Sequence, residues 1–137
     1  MDRRSALALG LTTAAIPLFA LATPAAAKTY GPNDGKELFK GVRVVELGKR
    51  DSEIRAYKTV EMIDVVFQPG AIFPLGQPMD HDMVCQVTEG ELQVKHGSKE
   101  FAVKEGGVWS CSKGSTTEGA TNSGSVVAVM RTIYLKA

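Results

Sequence analysis

Hydrophobic residues after residue 27 recur in short runs rich in Val, Ile, Phe, Tyr and Thr, and turn-forming residues bound these runs. Such runs are typical of β-strands. No long window in this part of the chain carries the period of about 3.6 residues that marks an amphipathic helix. The pattern therefore predicts an all-β domain, folded as a sandwich or a barrel. The predicted strands are Val42–Leu47, Tyr57–Phe67, Met83–Thr88, Glu91–Lys95, Glu100–Lys104, Val108–Cys111 and Ser125–Leu135.

Residues 1–27 have a different pattern. Arg3 and Arg4 precede an uncharged, mostly apolar stretch, Ala6–Ala27, that ends in three alanines. This arrangement is typical of a secretory signal peptide with an A-x-A cleavage site. The arginine pair also resembles a twin-arginine export signal, and a general export signal and an uncleaved anchor are the alternatives. Two prolines in the stretch disfavour the anchor, so we expect a periplasmic protein without stable membrane insertion.

The remaining chain divides into a short arm and one domain. Lys28–Gly41 is polar and contains glycine and proline, which predicts an arm packed loosely on the domain formed by residues 42–137. With 44% hydrophobic residues, the chain is able to bury a core of its own. A net charge of +1 provides no basic surface for nucleic acid, so we expect no nucleic-acid partner.

The order of the turns narrows the fold further. Gly70, Gly90, Gly106 and Gly114 stand at separations that resemble the two motifs of the cupin superfamily, and the resemblance covers residues 59–135. It implies a single jelly-roll β-barrel, of a kind that is often dimeric, with a pocket inside the barrel mouth. The sequence is therefore expected to fold as a cupin-like barrel preceded by a signal peptide.

The motif positions that usually carry the cupin metal ligands hold no imidazole and no carboxylate here. They fall on Gly76 and Pro78, or on Gln77 and Met79, for the first two histidines, on Met83 for the glutamate, and on Thr117 for the third histidine. The usual cage of three histidines and a carboxylate cannot be built from the two histidines of this chain. We therefore expect no metal at the usual cupin positions and no cofactor.

A candidate ligand pocket follows from the alternation of side chains along residues 79–88. Odd-numbered positions are apolar and rich in sulfur, so they are predicted to face the barrel interior, and even-numbered positions to face outward. In a cupin-like barrel the strand with Cys85 neighbours the strand with Trp109 and Cys111. The predicted pocket residues are Met79, His81, Met83, Cys85, Trp109, Cys111 and Glu118.

The two cysteines allow three interpretations. A disulfide between Cys85 and Cys111 suits an oxidising compartment and is our expectation. Free thiols packed in the core are the simplest alternative. The third is a single transition-metal ion (Cu, Zn, Fe or Mn) at an atypical site of His81, Cys85, Cys111 and Glu118, where sulfur ligands favour Cu(I).

Two further titratable residues, His96 and Glu118, are predicted to be exposed to solvent. His96 stands in the turn His96-Gly97-Ser98 and is predicted to be a solvated loop residue. Glu118 lies in Lys113–Ser125, a segment of Ser, Thr, Gly and Asn that predicts a surface position. If Glu118 instead faced inward, it would be the main carboxylate of the pocket and could pair with His81 for proton transfer.

Three functions remain compatible with the sequence. The first, which we expect, is an exported cupin-like barrel that binds a small, mostly apolar molecule without the usual metal site. The second is an enzyme with an atypical metal site, a dioxygenase, isomerase or lyase by the resemblance. The third is a structural subunit that forms a homodimer through the closing strand, Val126–Leu135, although this strand is equally suited to the barrel interior. Whether the protein catalyses a reaction stays open.

Overall fold

The computed structural model of the protein describes residues 29–137, and the predicted signal peptide lies outside the described residues. This part of the chain contains ten β-strands and no helix, so the predicted all-β class is confirmed. Accordingly, residues 29–137 provide no apolar helix of membrane-spanning length. The strands are β1 (Lys36–Phe39), β2 (Val42–Asp51), β3 (Thr59–Phe67), β4 (Ile72–Phe73), β5 (Asp82–Glu89), β6 (Glu91–His96), β7 (Lys99–Lys104), β8 (Val108–Cys111), β9 (Glu118–Thr121) and β10 (Ala128–Lys136).

The strands form two antiparallel sheets with a common core. The six-stranded sheet has the order β1-β2-β3-β10-β5-β8, and the four-stranded sheet has the order β4-β9-β6-β7. Apolar side chains from both sheets pack together and form the main core, as expected for a jelly roll. Its fully buried members are Val42, Phe67, Val87, Leu92 and Ala128.

The closing strand β10 lies inside the larger sheet. Thr132, for example, pairs with Ile63 of β3 on one side and with Cys85 of β5 on the other. Both edges of β10 are therefore hydrogen-bonded within the chain. The hypothesis that this strand pairs between two protomers is therefore wrong, its alternative as an internal strand of the barrel is confirmed, and a homodimer stays a prediction.

The outer face of the larger sheet also carries a small apolar cluster. Because side chains alternate along β3, Val65 faces the main core while Asp64 and Val66 face the opposite side. Val66 and Val129 pack there under Tyr30, which comes from the predicted arm. The arm therefore contributes a specific contact to the domain.

Three short strands lie in segments that the hydrophobic pattern does not assign to strands. β1 lies within the predicted arm, Lys28–Gly41, and pairs with β2, so part of the arm is a strand of the larger sheet. β4 and β9 pair with each other in the smaller sheet. β4 has only two residues, and neither β1 nor β9 contains Val or Ile, so none of the three has the composition typical of a predicted strand.

Candidate functional site

A cavity of about 80 Å³ lies between the two sheets, among inward-facing side chains of β3, β5, β8, β9 and β10. Its wall is mostly apolar. Six of the seven residues predicted to form the pocket line this cavity, and His81 does not. The six are Met79, Met83, Cys85, Trp109, Cys111 and Glu118.

Strand β5 supplies the centre of the wall through its regular alternation. Met83, Cys85 and Val87 are buried, with 8%, 2% and 0% of their surface exposed. The intervening residues Val84 and Gln86 are exposed. The predicted inward and outward faces of this strand are therefore both confirmed.

Four further wall residues were not predicted from the sequence, three of them on β10, the strand that pairs with β5 in the larger sheet. Met130, Thr132 and Tyr134 of β10 line the cavity together with Phe73 of β4. The three β10 residues are every second residue of that strand, so a period-two pattern was the signal that could have found them. Burial raises the pKa of Tyr134.

The two cysteines lie in one buried cluster, and both thiols are free. The pairing of β5 with β8 places Cys85 opposite Trp109 and Cys111 opposite Met83, so the cysteines occupy diagonal positions. Diagonal partners on antiparallel strands are about 7–8 Å apart, at or beyond the limit that a disulfide spans without backbone movement. The disulfide between Cys85 and Cys111 stays a prediction.

The two thiols differ in acidity. A hydrogen bond with Cys111, followed by burial, raises the pKa of Cys85. The same hydrogen bond lowers the pKa of Cys111, because a donating thiol stabilises a neighbouring thiolate. Cys85 also lies 3.7 Å from the Thr132 hydroxyl, measured from Sγ to Oγ1. Cys111 is therefore the thiol that ionises first.

Glu118 is buried, and one of its two carboxylate oxygens accepts a hydrogen bond. It is 5% exposed, and its Oε1 accepts a hydrogen bond of 2.6 Å from Ser115 Oγ. Its Oε2 is buried without a hydrogen-bond partner among residues 29–137. The predicted surface position is therefore wrong, because Glu118 begins β9 and lines the cavity.

His96 contacts Glu118 from the neighbouring strand. His96 ends β6 directly opposite Glu118, and its Nε2 lies 3.2 Å from Glu118 Oε1. The predicted loop position of His96 is wrong, because the residue ends β6, whereas its predicted contact with solvent agrees with the 42% exposure of its side chain. The carboxylate is therefore paired with His96 and not with His81, and the pair connects the cavity wall to solvent.

His81 lies in a groove beside the cavity. It occupies a bend one residue before β5 begins, where the alternation of the strand does not yet apply. Its ring packs edge-on against Tyr134, with ring centroids 5.6 Å apart. This groove of about 350 Å³ shares five wall residues with the cavity, so the two spaces are neighbours. The shared residues are Leu38, Phe73, Met79, Met83 and Tyr134.

Comparison with known proteins identifies this architecture. No protein-family model matches the sequence, and no curated protein sequence matches it. Three solved structures that match are an RmlC-like cupin from Shewanella frigidimarina (17% identity, TM-score 0.59, 74% of this chain and 82% of that one), KdgF from Halomonas sp. (16%, 0.60, 76% and 87%), and a sugar phosphate isomerase from a cupin superfamily from Silicibacter pomeroyi (20%, 0.58, 82% and 69%). The chain has the cupin fold. At these identities the likeness concerns the fold and not the activity.

The residues at the usual metal positions of the cupin fold do not fit a metal cage of histidines and a carboxylate. Met79 and Met83 carry thioethers, and Thr117 is exposed in the loop before β9. Within residues 29–137, no three side chains of His, Cys, Asp or Glu are grouped so that they could hold a metal ion. The atypical set of His81, Cys85, Cys111 and Glu118 is accordingly not brought together as a unit.

Proposed function

We propose that the protein is an exported cupin-fold protein that binds a small, mostly apolar molecule in its barrel, without the usual cupin metal. The observation that supports this most is the apolar cavity between the sheets, which adjoins an open groove. Concave, mostly apolar sites with a few placed polar groups are typical of small-molecule binding.

The two neighbouring spaces define the size of the molecule. The cavity of about 80 Å³ has room for only a few non-hydrogen atoms, because one water takes about 30 Å³ of the liquid. The groove adds about 350 Å³, which brings the site into the range of about 300–1,000 Å³ that is typical of ligand pockets. Met79 and Met83 line both spaces, and their flexible side chains can adapt to an inserted group. The ligand then places one end in the cavity and the rest in the groove.

Glu118 determines the polarity of the inserted end. Its buried Oε2 is an acceptor without a protein donor among the described residues, and leaving such an atom unpaired is costly. A hydroxyl or amine group on the ligand would satisfy it, whereas a carboxylate would be repelled. We therefore expect a neutral or cationic amphiphile with one donor group.

The proposal is tested with matched probes of equal chain length. Hexanol and hexylamine should raise the melting temperature of the protein, whereas hexanoate should not. A ligand at 100 times its dissociation constant stabilises the folded state by about 2.7 kcal/mol, which a thermal shift detects. Absence of a shift with both donor probes would contradict the proposal.

Two variants show whether the probes bind in the cavity. Ala120 lines the cavity, so Ala120→Leu should fill it and abolish the shift. Val84 is 38% exposed on the outward face of β5, so Val84→Leu is the matched control and should retain the shift. Binding of the probes to Ala120→Leu at unchanged affinity, measured by calorimetry, would place them elsewhere.

The two alternative functions have less structural support. An enzyme with a His/Cys/Glu metal site would need His81 in the cavity, and His81 lies in the groove. A structural dimer through the closing strand would need a free edge on β10, and both edges are paired.

A further inference from the structure

The cavity wall is rich in sulfur. Met79, Met83, Met130, Cys85 and Cys111 all line the cavity. Four of them, all except Met130, form a separate buried cluster in which each residue is 8% exposed or less. Apolar packing alone is served equally well by Leu, Ile and Val, so this concentration of sulfur offers donors that packing does not require.

Three of these sulfur atoms come from facing positions on two neighbouring strands. Cys111 on β8 lies directly opposite Met83 on β5. Directly opposite residues have Cβ atoms about 4.5–5.5 Å apart. Cys85 lies two residues beyond Met83 on the same inward face of β5. An ion between the two strands can therefore contact one thioether and two thiols.

The donor types select the kind of ion. Thiolate and thioether sulfur are soft ligands that suit Cu(I), whereas Mg²⁺, Ca²⁺ and Mn²⁺ require oxygen ligands. Zn²⁺ in proteins is almost always tetrahedral with ligands from Cys, His and carboxylates, and the described residues do not group three such side chains. Cu(I) is the ion that matches two cysteines and a methionine.

We propose that Cys85, Cys111 and Met83 bind one Cu(I) ion in this cavity. On binding, each thiol releases its proton to solvent, each thiolate forms one Cu–S bond, and the Met83 thioether donates a lone pair. The oxidation state of copper and of sulfur does not change. This site goes beyond the proposed function, which concerns an organic molecule and uses no metal.

The burial of the cluster supports this assignment. Cys85 is 2% exposed and Cys111 is 8% exposed, so an ion between them would be shielded from water. Cu(I) and a disulfide exclude each other, because the same two sulfur atoms would be needed for both.

The test is an anaerobic titration of the reduced protein, purified from the exported fraction, with Cu(I) in competition with a chromophoric Cu(I) chelator. We expect one Cu(I) per chain, a new near-ultraviolet absorption from Cu–thiolate bonds, and loss of both thiols from a thiol-reagent count. Ag(I) should occupy the same site as a probe that is not oxidised in air.

Four variants assign the ligands. Cys85→Ser and Cys111→Ser should each weaken Cu(I) binding at least about 100-fold, since losing a ligand exceeds the 10–100-fold effect typical of an outer-shell partner. Met83→Leu should weaken binding by a smaller factor and leave the thiols reactive. His81→Ala is the matched control and should bind Cu(I) like the parent protein, because His81 lies outside the cavity.

Three results would overturn the proposal: failure of the reduced protein to retain Cu(I) against the chelator, unchanged binding by the two serine variants together, or a Cys85–Cys111 disulfide that resists reduction in the folded protein. Circular dichroism of each variant shows whether a loss of binding reflects unfolding. The hexanol and hexylamine measurements involve no thiol chemistry, so the two proposals can fail separately.

Discussion

Asp64 and Arg131 form an ion pair of unequal burial on the outer face of the larger sheet. Asp64 is 1% exposed, and it accepts hydrogen bonds of 2.9 Å and 3.0 Å from Arg131 Nε and Nη2, whereas 40% of the Arg131 side chain is exposed. Removing the guanidinium leaves a buried charge, whereas removing the carboxylate charge leaves a guanidinium that water reaches. We expect Arg131→Met to lower the free energy of unfolding by about 3 kcal/mol, and by more than Asp64→Asn does.

Urea denaturation of the two variants measures this difference. Arg43→Met is a suitable control, because Arg43 donates to the exposed backbone carbonyls of Asp34 and Gly35 and, among residues 29–137, to no carboxylate. Its effect should stay below about 1 kcal/mol. A larger loss of unfolding free energy for Asp64→Asn than for Arg131→Met would contradict the prediction that the burial of Asp64 decides the ranking.

The hydrogen bond from Tyr30 to Asp64 makes the free energy of unfolding depend on alkaline pH. Burial, and then its hydrogen bond of 2.5 Å to Asp64 Oδ2, raise the pKa of Tyr30 from 10.0 to about 12. Because the folded pKa is raised, this contribution to the free energy of unfolding is complete below pH 10.0 and is lost as the pH rises towards about 12. Between about pH 9 and 11 the parent protein should therefore lose more stability than Tyr30→Phe. Urea denaturation measures these losses, and equal losses for the parent protein and Tyr30→Phe would contradict this assignment.

Single residues are also where the sequence was least informative. The composition of Lys113–Ser125 predicts solvent exposure, yet backbone hydrogen bonds join residues 114–116 to residues 76–79 and hold the segment against the barrel. β9 then pairs Glu118 with His96 of β6. These contacts join residues that are distant in the sequence, so no local sequence pattern predicts the burial of Glu118.

At the scale of elements, the turn between β5 and β6 connects the two sheets through Gly90. Its φ is +73°, and a Cβ there would lie 2.6 Å from Val127 O and 2.9 Å from Ala128 Cα, which are both backbone atoms. Gly97, in the turn between β6 and β7, has a φ of +64° and open space around the same position. We expect Gly90→Ala to lower the free energy of unfolding by about 3 kcal/mol and Gly97→Ala by about 1–2 kcal/mol, the cost of the left-handed conformation alone.

Thermal and urea denaturation of the two variants give these values. Because the left-handed backbone is common to both glycines, the difference between the variants isolates the crowding at Gly90. Equal destabilisation by Gly90→Ala and Gly97→Ala would mean that the crowded turn relaxes without cost.

Elements with a regular pattern could be predicted, and those whose pattern is interrupted could not. Met83, Cys85 and Val87 alternate within β5, and their inward faces followed from that period. His81 lies in the bend before the strand, where side chains do not alternate with a period of two. Its predicted position inside the pocket is therefore wrong. Prediction from alternation therefore extends only as far as the strand itself.

At the scale of the whole molecule, the glycine framework was the strongest signal of the fold. Gly70, Gly90, Gly106 and Gly114 all have φ between +73° and +87°, the region that favours glycine, so each marks a turn whose backbone other residues rarely adopt. The resemblance carried by these glycines implied that the strand with Cys85 neighbours the strand with Cys111, and the pairing of β5 with β8 confirms it. The chemistry of the cavity depends on side chains from strands that are distant in the sequence, and the framework alone did not place them.

Export is the remaining property of the whole chain, and it is a prediction from residues 1–27. The A-x-A pattern that ends at Ala27 should be cleaved so that the processed protein begins at Lys28. Mass spectrometry of the periplasmic fraction should therefore recover an N-terminal peptide starting at Lys28. Replacing Arg3 and Arg4 with Lys tests the route, because a twin-arginine signal requires the pair whereas a general export signal requires only positive charge. A full-length chain that keeps its leader and remains in the membrane fraction would contradict cleavage and would favour the anchor instead.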